Sequence, residues 1–303
     1  MLTKPLIDRD IAVWFTRRDT FAGRLTNRVY RDIPVLVCHR KTHFRRLPYT
    51  IPIQATKRYT ASLPLQHPVI PLKDDVPVRR PPFVTIAIIS ANVAVFLWQV
   101  AVVGLPASVE TAGAIPYEIL TLRDIKPIDI VPPPFTILTS MFLHGGFVHI
   151  AGNMLFLWIF GNNVEDVLGR ARFSLFYLGC GVVAALAQVA IAALSPDPAA
   201  LLLPMVGASG AIAGVLAGYM VLFPRARVLA LVPIFFFFRL IYVPASLFIG
   251  LWFLIQLANA FLGSSSSGVA FAAHVGGFAA GYVLVKLMGP RVNWPARRFG
   301  WRD

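Results

Sequence analysis

Six apolar segments restrict how this chain of 303 residues can fold more than any other feature. The first, residues 83–104, has no charged residue and is long enough for a helix that crosses about 30 Å of hydrocarbon. Only 14% of all residues are charged, against about 25% in soluble domains. The sequence therefore predicts an all-α, polytopic membrane protein with six transmembrane helices. The other five segments lie at roughly 146–162, 173–194, 209–222, 244–262 and 270–288.

The stretch 228–262 is too long for a single span. Arg239 and Pro244 interrupt it, and proline disrupts a helix interior because it lacks an N–H group. We place one helix after Pro244 and interpret residues 228–243 as a loop or as structure at the membrane interface.

Most of the net charge of +14 comes from the N-terminal part of the chain. Residues 1–82 contain 16 Lys and Arg against 6 Asp and Glu. Because no zinc-finger, helix-turn-helix or RNA-binding pattern accompanies them, we expect no nucleic-acid partner. The chain is divided into a basic, disordered or weakly structured extension (1–68), a cytoplasmic juxtamembrane segment (69–82), a six-helix domain (83–289) and a basic cytoplasmic tail (290–303).

The loop charges predict the orientation in the membrane. The 195–208 and 263–269 loops contain no Lys or Arg, and the 105–134 loop contains two. Since cytoplasmic loops carry an excess of Lys and Arg, both termini are expected in the cytoplasm. The second, fourth and sixth helices then begin on the outer side.

Polar side chains lie near the outer ends of these same three helices. His149 and Asn153 are four residues apart and share one face of the second helix, Ser209 begins the fourth, and His274 lies near the start of the sixth. Such groups are costly inside a bilayer and indicate a functional site. His144, just before the second helix, is interpreted as lining the same pocket or capping the helix entrance.

The fourth helix is too short to cross the membrane. About 14 apolar residues from Ser209 onward give roughly 21 Å of helix, short of the ~30 Å hydrocarbon core. Arg225 and Arg227 fix its inner end, so it begins about 10 Å below the outer surface. Irregular backbone at that depth is tolerated where it lines a cavity. Ser209 is therefore predicted at the bottom of an outward-facing cavity.

Small residues indicate that the fourth and sixth helices approach closely. Gly210, Gly214 and Gly218 repeat at every fourth residue, and Gly277 and Gly281 share a face with His274. Such ridges let helix backbones pack together, which would bring Ser209 near His274. Plain helix packing explains the glycines equally well, and it is compatible with catalysis.

At these residues the chain resembles the rhomboid family of intramembrane serine proteases, over about residues 69–289. The resemblance implies that Ser209 is the nucleophile and His274 the general base of a Ser–His dyad. It further implies an oxyanion site made by the Ser209 N–H group, His149 and Asn153, with Gly207, Gly210 and His144 in supporting positions. The motifs are His149-x-x-x-Asn153, Gly207-Ala208-Ser209-Gly210 and Ala273-His274-x-x-Gly277-x-x-x-Gly281.

The sequence departs from the family pattern at two places. Many members carry a Trp-Arg pair in the loop after the first helix, where this chain has Leu122 before Arg123. Some members carry a tyrosine four residues after the serine, stacked on the histidine, where this chain has Ala213. Anchoring of the loop and support of His274 are thus left open.

The resemblance implies a protease that hydrolyses transmembrane proteins near the outer face, in contact with lipid and without a metal or organic cofactor. A bacterial inner membrane is expected, with an organellar inner membrane as the alternative; the oligomeric state is open. One rival hypothesis is a catalytically inactive rhomboid-like protein that binds membrane clients. Another is an electron carrier with haem held by His149 and His274.

Residues 1–68 are expected to be dispensable for insertion and cleavage. The segment from Val69 to Arg80 resembles the short N-terminus of many bacterial family members, and a valine codon can serve as a bacterial start. The extension would then result from a mis-assigned start. The alternatives are a genuine extension that contacts anionic lipid through its Lys and Arg, or an organellar transit peptide.

Overall fold

The computed structural model describes residues 11–14, 34–39, 43–50, 69–125, 131–234, 237–262 and 269–289. The predicted tail at 290–303 and most of the 263–269 loop lie outside these residues. The described strands are β1 (Ile11–Trp14), β2 (Pro34–His39), β3 (His43–Thr50), β4 (Ile70–Asp74), β5 (Arg227–Ile234) and β6 (Phe237–Pro244). The described helices are α1 (Phe83–Trp98), α2 (Leu105–Ala112), α3 (Pro116–Thr121), α4 (Pro133–Thr139), α5 (Phe147–Phe156), α6 (Asn162–Leu168), α7 (Arg170–Leu194), α8 (Ser209–Leu222), α9 (Ala245–Leu262) and α10 (Phe271–Met288).

Helices occupy all six apolar segments. Four helical stretches among the described residues are long and apolar enough to cross a membrane: α1 with the π-helical turn that follows it, α5 continued through a π-helical turn into α6, α7, and α10. The other two, α8 and α9, are shorter apolar helices. Large apolar side chains on the outer faces remain exposed, for example Leu194, Phe261 and Leu287, each at least 78% exposed. Exposed apolar surface of this extent fits contact with lipid.

The segment between the first two spanning stretches contains three short helices, α2, α3 and α4, where the sequence predicted only a loop. Each has a proline in its first two positions, where the missing N–H costs nothing. Gln99 anchors this segment, because its amide nitrogen donates to Ser108 Oγ at 2.8 Å and its amide oxygen accepts from the His144 N–H group at 3.0 Å. This contact holds the loop that lacks the Trp-Arg pair.

Carboxylates of α6 hold the N-terminus of α1. Glu165 accepts hydrogen bonds from the backbone N–H groups of Val84 and Thr85 at 2.9 and 2.7 Å, and from Thr85 Oγ1 at 2.8 Å. Asp166 accepts from the Arg79 N–H group at 2.9 Å. The first N–H groups of a helix lack partners within the helix and carry partial positive charge. These bonds therefore fix α1 against α6.

The predicted all-α fold requires a correction, because β4, β5 and β6 form a three-stranded antiparallel sheet. Residues 228–243, interpreted as loop or interfacial structure, are mainly a hairpin in which Val228 pairs with Val243 and Ile234 with Phe237. Ile70 of β4 pairs with Leu231 of β5. Apolar and β-branched residues favour strands, and partners distant in sequence complete the sheet. The structure is mostly helical with small sheets.

A second antiparallel sheet lies in the N-terminal unit, Met1–Ala61, with the strand order β1-β2-β3. It occupies part of the extension for which the sequence predicted disorder or weak structure. Runs such as Ile11–Trp14 and Pro34–His39 are rich in β-branched and aromatic residues, which favour strands.

The β4–β6 sheet is tied to α8 by a half-buried carboxyl group whose protonation should affect stability. Tyr219 Oη donates to Asp74 Oδ2 at 2.6 Å, and burial raises the pKa of Asp74 from 3.8 to about 6. The folded protein thus holds this proton to a higher pH than the unfolded chain does. The bound proton therefore stabilises the folded state fully below about pH 4, and this contribution to the free energy of unfolding is lost as the pH rises to about 6.

Asp74→Asn keeps an acceptor for Tyr219 but carries no titrating proton. Between pH 4 and pH 6, wild type should therefore lose thermal stability relative to this variant, as measured by thermal unfolding in detergent. Asp197→Asn, at an exposed loop position, is the control and should show no such relative change. A constant difference between wild type and Asp74→Asn over this range would contradict the prediction.

Candidate active site

Ser209 and His274 are brought together by α8 and α10. Ser209 is the first residue of α8 and is partly exposed, whereas His274 is the fourth residue of α10 and is 9% exposed. Ser209 Oγ lies 2.7 Å from His274 Nε2. At this distance an unprotonated imidazole nitrogen can accept the hydroxyl proton, which is the arrangement that activates a serine nucleophile.

Glycine contacts explain how two helices come close enough for this hydrogen bond. A Cβ atom at Gly277 would overlap the backbone carbonyl of Gly210, and one at Gly281 would overlap the backbone of Gly214. The predicted small-residue ridges thus meet at these two pairs. Gly218 lies outside this crossing, since the three atoms nearest to a Cβ atom there all belong to the ring of Phe176 in α7 and none to α10.

The other nitrogen of the histidine contacts a residue that the sequence analysis did not select. His274 Nδ1 lies 2.8 Å from Oε1 of Gln256, a side chain of α9 that is 2% exposed. Trp252, one turn earlier on α9, places its ring 5.7 Å from the imidazole at an angle of 36°. The sequence signal for Gln256 was an amide within a largely apolar helix, because such a group needs a partner when it is buried.

His149 and Asn153 lie beside the backbone that leads to Ser209. Gly207 has φ of +122°, and a Cβ atom there would lie 2.7 Å from His149 Nε2 and 3.6 Å from Asn153 Nδ2. Glycine is required both by this φ and by the close approach. The Gly207 N–H group donates to the Ser140 carbonyl at 2.8 Å, which fixes the loop. Two side-chain donors therefore face the backbone two residues before Ser209.

Hydrogen bonds with His144 and Gly145 orient this donor pair. Its Nε2 accepts from Asn153 Nδ2 at 2.9 Å, because an amide nitrogen can only donate. His149 Nδ1 accepts from the Gly145 N–H group at 3.4 Å. A neutral His149 then carries its proton on Nε2, the nitrogen next to Gly207. The predicted supporting position of His144 thus has a specific contact in the structure.

These contacts together form an arrangement suited to acyl transfer. Ser209 has an adjacent base, and the N-terminus of α8 presents unpaired N–H groups and a partial positive charge where an oxyanion would form. His149 and Asn153 add two side-chain donors beside it. Preorganised donors of this kind stabilise the negative charge that develops on a carbonyl oxygen under attack.

Comparisons with known proteins match the region that holds these residues. The Rhomboid domain family matches residues 133–291, just over half of the chain. Rhomboid protein 1, mitochondrial, from Saccharomyces cerevisiae is 33% identical over 147 residues, which is 48% of this chain and 38% of that protein. Rhomboid protease GluP from Bacillus subtilis is 42% identical over 80 residues, 26% of this chain and 14% of that protein.

The Homo sapiens presenilin-associated rhomboid-like protein, mitochondrial, is 34% identical over 105 residues, 33% of this chain and 26% of that protein. The chain thus spans well under half the length of each of these relatives. The family match includes α5, α8 and α10, the helices that carry the polar cluster. The chain belongs to the rhomboid family.

Proposed function

We propose that this protein is an intramembrane serine endopeptidase that hydrolyses peptide bonds in or near the transmembrane segments of other membrane proteins. The hydrogen bond of 2.7 Å between Ser209 Oγ and His274 Nε2 carries this proposal. Family membership and the relative named a protease support it. No step in the reaction requires a metal or an organic cofactor.

In the first half of the reaction, Ser209 Oγ attacks the carbonyl carbon of the scissile bond while His274 Nε2 takes the hydroxyl proton. The resulting oxyanion accepts hydrogen bonds from the Ser209 N–H group, His149 and Asn153. The C–N bond then breaks, and His274 returns its proton to the leaving amine. In the second half, a water molecule attacks the acyl carbon and gives one proton to His274. The bond between that carbon and Ser209 Oγ then breaks, His274 returns the proton to Oγ, and the new carboxyl group leaves.

The proposed class of substrate follows from the depth at which Ser209 and His274 would lie in the membrane. The short α8 would place Ser209 below the outer surface, where water enters from outside and a substrate helix enters sideways from the lipid. We propose a bacterial inner membrane with both termini in the cytoplasm. An organellar inner membrane is the alternative, which the relatives named mitochondrial favour.

The proposal is tested by incubating purified protein in lipid vesicles with a panel of single-span membrane proteins. Cleavage products should appear with wild type and be absent with Ser209→Ala. Absence of cleavage with retained substrate binding would favour the catalytically inactive, client-binding alternative. A haem absorption band in purified protein would favour the electron carrier, although haem ligation by Nε2 of His274 would displace its hydrogen bond to Ser209.

The orientation can be tested with single cysteines at exposed, described positions. In a background of Cys38→Ser and Cys180→Ala, we expect an impermeant thiol reagent to label Ala199→Cys in intact cells, because the 195–208 loop lies outside. Arg225→Cys should be labelled after the membrane is permeabilised. The opposite pattern would invert the orientation and place the active site on the cytoplasmic side.

Asn153→Ala removes one proposed oxyanion donor. We expect kcat to fall about 10²–10³-fold with little change in KM, since the lost bond forms mainly in the transition state. Asn163→Ala is the matched control, because Asn163 is a buried amide on α6 that donates to the Val76 carbonyl; it should keep wild-type kcat. A change confined to KM in Asn153→Ala would instead assign Asn153 to substrate binding.

A further inference from the structure

The imidazole of His274 is held by residues of three helices. Ser209 of α8 contacts Nε2, Gln256 of α9 contacts Nδ1 at 2.8 Å, and Trp252 and Phe271 pack their rings against it. All four side chains are uncharged at neutral pH. The rings of Trp252 and Phe271 restrict tilting of the imidazole, whereas Gln256 Oε1 contacts a specific ring atom.

This amide oxygen determines which nitrogen of His274 carries the proton. An amide oxygen only accepts hydrogen bonds, so Nδ1 must be the protonated nitrogen. A neutral imidazole has one N–H group, which leaves the lone pair on Nε2, facing Ser209. With the opposite tautomer, Nε2 would present a proton to the serine and could not act as its base. Gln256 thus selects the tautomer that the reaction requires.

We propose that Gln256 is a positioning residue that acts through His274, which makes the proposed dyad a Ser209–His274–Gln256 triad with an amide as its third member. This inference rests on the proposed protease function. Gln256 supplies support from α9 in a chain that has Ala213 at the position where some family members stack a tyrosine on the histidine. Its dipole also stabilises the imidazolium that forms when Ser209 loses its proton, without adding a buried charge.

The test compares two substitutions at one position. Gln256→Leu removes the acceptor, and we expect kcat to fall roughly 10²-fold with unchanged KM, within the about 10⁴-fold loss that follows when the wrong tautomer is imposed on a serine protease. Gln256→Glu restores an acceptor and adds negative charge that favours the imidazolium. This variant should recover much of the lost kcat, and the acid limb of its kcat/KM profile should move to higher pH.

Gln188→Leu is the matched control. Gln188 is an amide of α7 that accepts from the Ala273 N–H group at 3.3 Å, one residue before the histidine, and its contact is with backbone instead of the ring. It should keep the wild-type kcat and pH profile. Wild-type kcat in Gln256→Leu would overturn the proposal. Equal losses in Gln256→Leu and Gln256→Glu with an unshifted acid limb would do so as well, since they indicate packing alone.

A spectroscopic measurement tests the inference without relying on cleavage. In ¹⁵N-histidine-labelled protein, with His274→Asn used to assign the signal, we expect neutral His274 to be protonated on Nδ1. In Gln256→Leu, the population should shift toward Nε2 protonation. An Nε2-protonated wild type, or an unchanged spectrum in Gln256→Leu, would refute the positioning role even if the protein cleaves substrates. Failure of wild type to cleave any substrate would refute the protease function separately.

Discussion

Ser209→Ala and His274→Ala should each reduce cleavage of a membrane substrate by roughly 10⁴–10⁶-fold, to below detection, while leaving the protein folded. Ser209 Oγ supplies the attacking oxygen and His274 Nε2 removes its proton, so loss of either group stops the same step. Because the two residues act as a unit, the double variant should be no less active than either single variant. Cleavage is measured with purified protein in vesicles, and folding by thermal unfolding in detergent.

Ser174→Ala is the matched control, since this half-buried serine of α7 bonds only a carbonyl of its own helix among the contacts described. It should retain full activity. Cleavage at the wild-type rate by purified Ser209→Ala would show that another group is the nucleophile.

Gly277→Ala should reduce activity by at least about 100-fold although it adds a single methyl group to a residue that takes no part in the reaction. The added Cβ would overlap the Gly210 carbonyl, and a backbone atom cannot rotate away as a flexible side chain can. Overpacking of this kind costs about 1–3 kcal/mol in well-packed interiors. Relieving it requires α8 and α10 to separate, which lengthens the distance between Ser209 Oγ and His274 Nε2.

Gly250→Ala provides the control, because nothing lies within 4 Å of a Cβ atom at that position of α9. Alanine is also the better helix former by about 1 kcal/mol, so this variant should be as stable and as active as wild type. Both variants are compared by cleavage rate and by thermal unfolding. Wild-type activity in Gly277→Ala would show that close contact at this crossing is not needed to hold the pair together.

Helices α1, α5 and α7 to α10 could be predicted closely because each coincides with an apolar run, whereas the short helices α2, α3 and α4 lie in the segment predicted as a loop. The helix predicted at 209–222 is observed as Ser209–Leu222. The β5–β6 hairpin escaped prediction because its apolar run was equally consistent with interfacial structure, and β4, its third strand, lies more than 150 residues earlier in the chain. Strand pairing over that distance depends on the tertiary structure.

Some residues of the candidate site could likewise be predicted from the sequence, and others could not. Ser209, His274, His149 and Asn153 could be selected because short motifs place polar groups at helix ends where the bilayer makes them costly. Gln256 could not, since its partner is 18 residues away on another helix and depends on how α9 and α10 pack. Gly218 fits the sequence repeat as well as Gly214, yet only the structure shows that a Cβ atom at Gly214 would meet the Gly277 carbonyl of α10, whereas the three atoms nearest to one at Gly218 belong to Phe176 of α7.

Activation of Ser209 by His274 can be measured by reaction with a fluorophosphonate, which modifies activated serine hydroxyls. The modified residue is identified by peptide mass spectrometry of protein in lipid vesicles. We expect a single adduct on Ser209 in wild type and no adduct in folded His274→Ala. A folded wild-type protein that stays unmodified, or an adduct on Ser209 that forms equally fast in His274→Ala, would contradict this activation.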